Sequence, residues 1–158
     1  MIVFSNTTPF IALSCINKLD LMKEIFSEIH VAESVIQECS AGGLIKVPNL
    51  SQMDWIRKKK DIESVSLPVL LELDKGEKQT IALALEETKA LVLIDEKIGR
   101  NIAEYLGLRV TGTLGILVKA KRDGLIKSFT DEALSMVDAG IHYNIDLIKR
   151  IGRELGEI

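Results

Sequence analysis

Ala90-Leu91-Val92-Leu93-Ile94, closed by Asp95, is the stretch that decides the fold. Five consecutive apolar residues leave no polar face. A strand made from them is covered on both sides, as in a parallel sheet with helices above and below. On either side the pattern lengthens to helical segments. Asp74 to Thr88 reads as a helix, and Glu96 to Leu106 as another, closed by Gly107. Leu108-Arg109-Val110-Thr111 follows as a short strand, then Leu114 to Arg122 as a helix closed by Gly124.

The same rhythm opens the chain. Met1 to Ser5 is a short apolar run rich in β-formers, followed by Asn6-Thr7-Thr8-Pro9 and Phe10-Ile11-Ala12-Leu13. That reads as strand, turn and helix, with Thr8 as N-cap and Pro9 at the first helical position. Leu19 to Ile25 is a second short helix, Ile29 to Ala32 a brief strand, and Glu33 to Ser40 a helix stopped by Gly42-Gly43. Between residues 44 and 66 the pattern fades, and Met53 to Arg57 is the one strand candidate there. Helices near 130–139 and 145–155 end the chain with no strand after them. Strands alternating with helices imply an α/β fold, a parallel sheet with helices on both faces. No repeat, linker or low-complexity tract marks a boundary. The expectation is one domain over residues 1–158, with residues 128–158 as an appended helical pair.

Composition agrees with one buried core. The chain has 158 residues, 47% hydrophobic but only 4% aromatic, so the interior must be aliphatic. A formal net charge of −3 argues against a protein that coats nucleic acid by charge alone. It leaves room for an enzyme that meets a phosphodiester through bound cations, which offset clustered carboxylates. Cys15 and Cys39 define neither a disulfide framework nor, with the scattered His30 and His142, a zinc site; they read as reduced, core-facing thiols. No basic start precedes a long apolar run, and no stretch approaches the roughly 20 residues of a membrane span. The expected location is the cytoplasm.

Ligands of open parallel sheets gather outside the carboxyl ends of the strands. Asn6 follows the first strand and Asp95 the strongest one, while Glu38 lies late in an early helix and Glu77 in the first turn of the Asp74 helix. Three carboxylates and an amide of this kind suit Mg²⁺ or Mn²⁺, and such ions can activate water for phosphodiester hydrolysis. Each residue also has a plainer reading. Asp74 and Glu77 are spaced as a capping box, and Asp95 can cap the helix after it. Glu38 can be a solvated helix carboxylate, and Asn6 a turn residue that bonds its own backbone.

Four segments together resemble PIN-domain proteins, in particular a prokaryotic subgroup of predicted nucleases. They are Val3-Phe4-Ser5-Asn6-Thr7-Thr8-Pro9-Phe10-Ile11-Ala12-Leu13, and Leu73-Asp74-Lys75-Gly76-Glu77 leading into Ile81-Ala82-Leu83-Ala84. The others are Leu93-Ile94-Asp95-Glu96-Lys97-Ile98-Gly99-Arg100 and Val110-Thr111-Gly112-Thr113-Leu114-Gly115-Ile116-Leu117. The likeness runs in order through roughly residues 1 to 125. It implies a PIN-like three-layer α/β/α sandwich and a ribonuclease site using Mg²⁺ or Mn²⁺. Motif by motif, the metal-binding and catalytic positions fall on Asn6, Glu38, Glu77 and Asp95. Glu96 is a further contributor, and Thr111 or Thr113 holds a water of the ion. Many members have Asp where this chain has Asn6, although the subgroup often shows Asn.

The leading expectation is thus a metal-dependent endoribonuclease acting on RNA, as the toxin of a toxin–antitoxin pair in one version. The alternative is a non-catalytic nucleic-acid- or protein-binding module weakened by the uncharged Asn6. A phosphohydrolase with an aspartyl nucleophile would want Asp after the first strand and meets Asn6 instead. Gly112 and Gly115 lack the Gly-Lys-Ser/Thr of a phosphate loop, and Ser14 and Ser34 lack a partner histidine. Arg57-Lys58-Lys59-Lys60, with Trp55 just before, is a candidate strand-binding patch combining charge and stacking. Arg100 is a candidate phosphate contact, as are Lys119, Lys121 and Arg122; the plain reading of all of them is surface charge. The apolar residues of the final helices must be covered, either by their own domain or by a second chain. A homodimer is the favoured expectation, and an antitoxin protein the other partner.

Overall fold

Consecutive residues of the central strands are buried, which requires helices on both faces of the sheet. The computed structural model describes every residue, 1–158. In chain order the elements are β1 (Ile2–Ser5), α1 (Thr7–Cys15), α2 (Leu21–Phe26), β2 (Ile29–Ala32), α3 (Glu33–Ser40) and β3 (Ile56–Lys59). They continue with α4 (Lys75–Leu85), β4 (Ala90–Leu93), α5 (Lys97–Tyr105), β5 (Arg109–Thr111), α6 (Thr113–Arg122), α7 (Phe129–Asp138) and α8 (Ile145–Glu154). Short 3-10 turns, Leu50–Gln52 and Pro68–Glu72, fill the weakly patterned region before and after β3.

The five strands form one sheet in the order β3-β2-β1-β4-β5, and every pairing is parallel. Val3, Phe4 and Ser5 are buried in succession on β1, as are Val92 and Leu93 on β4. The expected α/β/α sandwich is what the chain adopts. α1 and α2 pack with α6, while α4 packs on β1, β2 and β4. Thirty-five buried apolar residues form one core, with Phe4, Phe10 and Phe129 its only fully buried aromatics. Cys39 is buried and Cys15 partly so, and both are free thiols. No helix is long and apolar enough to cross a membrane.

Two boundaries differ from expectation. α1 begins at Thr7 with Asn6 as the N-cap residue, so Pro9 is the third helical residue and not the first. The first helical N–H groups have no partner within the helix, so proline at that depth removes no bond. β3 covers Ile56–Lys59 and not Met53–Arg57, with Ile29 opposite Ile56 and Ala32 opposite Lys59. Exposed Arg57 and Lys58 on an outer strand are the usual protection of a sheet edge.

The final helices bury much of their apolar surface on their own chain, while Ile145 and Leu147 of α8 stay exposed. α7 packs on α6 and α1, α8 packs on α7, and Phe129, Ala133, Met136 and Ile148 are buried there. Glu157 fastens the arrangement. Its carboxylate accepts from the N–H groups of Phe129 (2.7 Å) and Thr130 (2.8 Å) and from Thr130 Oγ1 (2.6 Å), and it pairs with Lys121 Nζ at 3.2 Å. It thereby caps α7 with a negative charge at the positive end of the helix. Burial alone would raise its pKa, but these hydrogen bonds outweigh it and hold the group at about 2. A depressed carboxylate stabilises the fold above its ordinary pKa and loses that contribution as pH falls through the folded value. Glu157→Gln is therefore expected to cost about 1 kcal/mol at pH 7. Urea denaturation at a series of pH values should show that difference shrinking between the ordinary carboxylate range and about 2. A deficit that stayed constant with pH would contradict the assignment.

Candidate functional site

Strand ends decide which side chains meet. β1 and β4 are neighbours in register, Ser5 opposite Leu93, so the residues that follow them emerge side by side. Asn6 donates its main-chain N–H to the Leu93 carbonyl at 3.0 Å and turns directly into α1. Its side chain is only 4% exposed, and its Oδ1 is buried without a hydrogen-bond partner. Across from it, Thr7 Oγ1 donates to Glu38 Oε2 at 2.5 Å, which ties α1 to the second turn of α3. Glu38 lies flat over the start of α4: a Cβ on Gly76 would sit 2.7 and 2.8 Å from its two carboxylate oxygens.

Asp74 is the N-cap of α4, and its Oδ1 accepts from the Glu77 N–H at 2.9 Å. Half of the expected capping box is therefore present. The Glu77 carboxyl does not bond back to the Asp74 N–H but is buried in the cleft, close against Gly99. Burial raises its pKa first, followed by the Asp74 carboxylate with which it shares a hydrogen bond, and then by Glu96 and Glu38; the result is about 7. Asn6, Glu38, Glu77 and Glu96 line one cleft together with Glu72, Asp74 and Lys97. Five carboxylates thus face one ammonium group.

Asp95, one residue before Glu96, borders the adjoining hollow that shares Thr8, Glu96 and Lys97 with the cleft. Its Oδ1 accepts from the Thr113 N–H at 2.6 Å, and its Oδ2 from Thr113 Oγ1 (2.8 Å) and Tyr143 OH (2.6 Å). The start of α6 and the partly buried Tyr143 phenol thus supply three donors to this carboxylate. Asp95 does not cap α5: Glu96 holds the N-cap position, with no side-chain capping bond. Thr113 is occupied by Asp95, and Thr111 lies in the neighbouring hollow with Arg100. Gly112 makes this packing possible, since a Cβ there would fall 2.6 Å from Arg100 Nη1 and 2.8 Å from Asp95 Oδ1.

The basic run on β3 is placed elsewhere. Arg57 pairs with Glu28 at 3.2 Å and donates to the Asp54 carbonyl at 2.7 Å, and none of Arg57, Lys58, Lys59 and Lys60 lines the acidic cleft. Trp55 is buried and presents no face for stacking. Tyr143, the partner of Asp95, escaped the reading of the sequence, because a loop tyrosine far along the chain carries no local signal. Asp74 and Glu72 were hidden differently, one behind its capping role and the other in a turn.

No three acidic, histidine or cysteine side chains converge closely enough to hold an ion as they stand. The donor set nevertheless suits a hard divalent cation. It offers a buried amide oxygen with nothing to accept from, in the same cleft as a carboxyl whose pKa is raised first by burial and then by neighbouring carboxylates. Gly76→Ala tests the arrangement. Alanine favours the helix by up to about 1 kcal/mol, while its Cβ meets only the exposed carboxylate of Glu38. The melting temperature should hold or rise, while calorimetry should show weaker Mn²⁺ binding. Unchanged Mn²⁺ binding would remove Glu38 from the site.

The family model DUF3368, described as a PIN domain, matches residues 2–157. No curated protein and no solved structure matches the chain. The family match extends past the segments quoted above to include α7 and α8. PIN domains are in general nucleases and typically use divalent metal ions. With the parallel sandwich and the acidic cleft at its carboxyl edge, the match over nearly the whole chain means that it belongs to the PIN-domain family.

Proposed function

We propose that the chain is a Mg²⁺- or Mn²⁺-dependent ribonuclease that works at the cleft between β1, α3, α4 and α5. The observation that carries this reading is the unpartnered, buried Oδ1 of Asn6 beside the crowded carboxyl of Glu77. Asn6, Glu38 and Glu77 would hold the ion, with Glu96 at the exposed rim. A bound ion supplies charge neutralisation at the phosphate and lowers the pKa of water, without a covalent enzyme intermediate. Thr7 orients the Glu38 carboxylate, and Asp74 fixes the first turn of α4 so that Glu77 points inward. Asp95 acts from behind as a positioning residue, joining the β4–α5 turn to the start of α6.

Exposed apolar groups flank the cleft. Ile98, 64% exposed, lines it, and Leu71, 67% exposed, adjoins Glu72. They support the version in which a protein such as an antitoxin seats over the opening. The second reading, a binding module without hydrolysis, draws on the missing charge at Asn6 and on the engagement of Asp95 away from the cleft.

Cleavage of single-stranded and structured RNA with and without chelator separates the two. Glu77→Gln should lower the cleavage rate by at least about 100-fold, in line with the loss of one preorganised electrostatic group. The same change should leave the metal-free melting temperature equal or higher, because it removes a repelled charge. Asn6→Asp should raise Mn²⁺ affinity by about tenfold, through one added charged oxygen ligand. Cleavage that survives both Glu77→Gln and chelation would refute the metal-dependent reading. Mn²⁺ binding with no cleavage of any RNA would select the binding module.

A further inference from the structure

The acidic cleft does not end at Glu96. Lys97 lines it and also lines two further hollows beyond the start of α5. Those two share Asp95, His142 and Tyr143 as well. The three hollows thus adjoin at Lys97, and together they border the N-terminal end of α5 as a trough. Its far wall is the loop between α7 and α8, and its chemistry changes along its length. One arm carries five carboxylates. The other carries Lys97, Arg100 and His142, together with the amides of Asn101 and Asn144.

We propose that this trough seats one strand of RNA, with Lys97, Arg100 and His142 contacting its phosphates on the side leading away from the carboxylates. The inference rests on the ribonuclease reading and adds where the strand lies. Four observations carry it. Lys97, Arg100 and Asn101 stand three and four positions apart on α5, so they share one helix face. Neither Lys97 nor Arg100 is in an ion pair, whereas Arg57 of the β3 run pairs with Glu28. Arg100 makes only a long bond, 3.4 Å, to the Ile94 carbonyl, which leaves most of its donors free.

The fourth observation concerns the one carboxylate in the basic arm. Asp95 is satisfied by two bonds from Thr113 and one from Tyr143, so it does not hold the cations. Asn144 uses its Oδ1 to cap α8, accepting from the Leu147 N–H at 3.1 Å, and this leaves its NH₂ as a donor. The arm thus offers several donors, and its one carboxylate is already satisfied. A phosphodiester strand is the ligand that needs such donors beside a site for a cation. A formal net charge of −3 supplies no general attraction for RNA, so binding needs a local cluster of donors.

The test is fluorescence anisotropy with a labelled short single-stranded RNA in chelator, over a series of salt concentrations. The double change Lys97→Ala with Arg100→Ala is expected to weaken binding about tenfold or more. It should also reduce the slope of log affinity against log salt by roughly 0.7 for each phosphate contact removed. Lys97→Glu alone, at an exposed position that does not support the core, should weaken binding in the same direction. Arg57→Ala with Lys58→Ala on the outer strand should leave both affinity and slope unchanged. Glu77→Gln should lower cleavage by at least about 100-fold while binding persists, so a failed nuclease reading and a failed trough give different results. Equal affinity and slope in the Lys97 and Arg100 variants would overturn the proposal. So would an equal loss in the Arg57 and Lys58 variant, or equally tight binding of an RNA duplex.

Discussion

Asn6 hangs from β4 by the bond between its N–H and the Leu93 carbonyl, and much of the molecule depends on that junction. The bond closes the β1–β4 ladder at its carboxyl end. In the space of one residue the chain must then leave the sheet and start α1. The side chain at this corner has no room to reach solvent, so a polar residue is held in a buried position next to the turn that carries Glu96. A shift of one residue in the pairing of β1 with β4 would reverse which side chains point into each helical layer. It would mispack Val92 and Phe4 in the opposite layers and move Asn6 relative to Glu77. Core packing and site assembly are therefore enforced by the same register.

Around that corner the protein tolerates an arrangement that opposes its own stability. A buried carboxyl held to about 7 by burial and by Asp74, Glu96 and Glu38 is not what packing alone would produce. The aliphatic core, one cluster of 35 residues, supplies the rigidity that keeps these groups together. At the other end of the molecule the logic is reversed. Glu157 is surrounded by donors, and its charge stabilises the helix it caps. The contrast between these two glutamates separates carboxylates placed for structure from carboxylates placed against it.

Much of this was legible in the sequence, and the exceptions have physical causes. The Ala90–Ile94 run announced a strand covered on both faces, because a short, fully apolar run bounded by Asp95 suits a parallel sheet between two helical layers. The Asp74 cap was readable from a three-residue spacing, since it is local. β3 was blurred because an outer strand carries charge for protection and so lacks the apolar alternation that identifies strands. Asp95 was read by its place after a strand, which gave its neighbourhood but not its hydrogen-bond partners. Its direction is set by Thr113 and Tyr143, and long-range hydrogen bonds leave no periodic trace. Trp55 could not be recognised as buried from a basic neighbourhood that is itself largely exposed.

The pairing of Ile2 with Ala90 also bears on how the molecule comes into being. β1 can meet β2 soon after both are made, but its other edge stays open until β4 arrives. Such distant pairing slows folding, because loop entropy is lost before the contact returns anything. Until then Asn6 has no Leu93 to hold it, and the carboxylates from α3, α4 and the β4–α5 turn lie on separate segments of chain. A partly made or partly folded chain therefore has no assembled cleft. Cutting power of the kind this family carries would arrive late, as one of the last properties acquired during maturation.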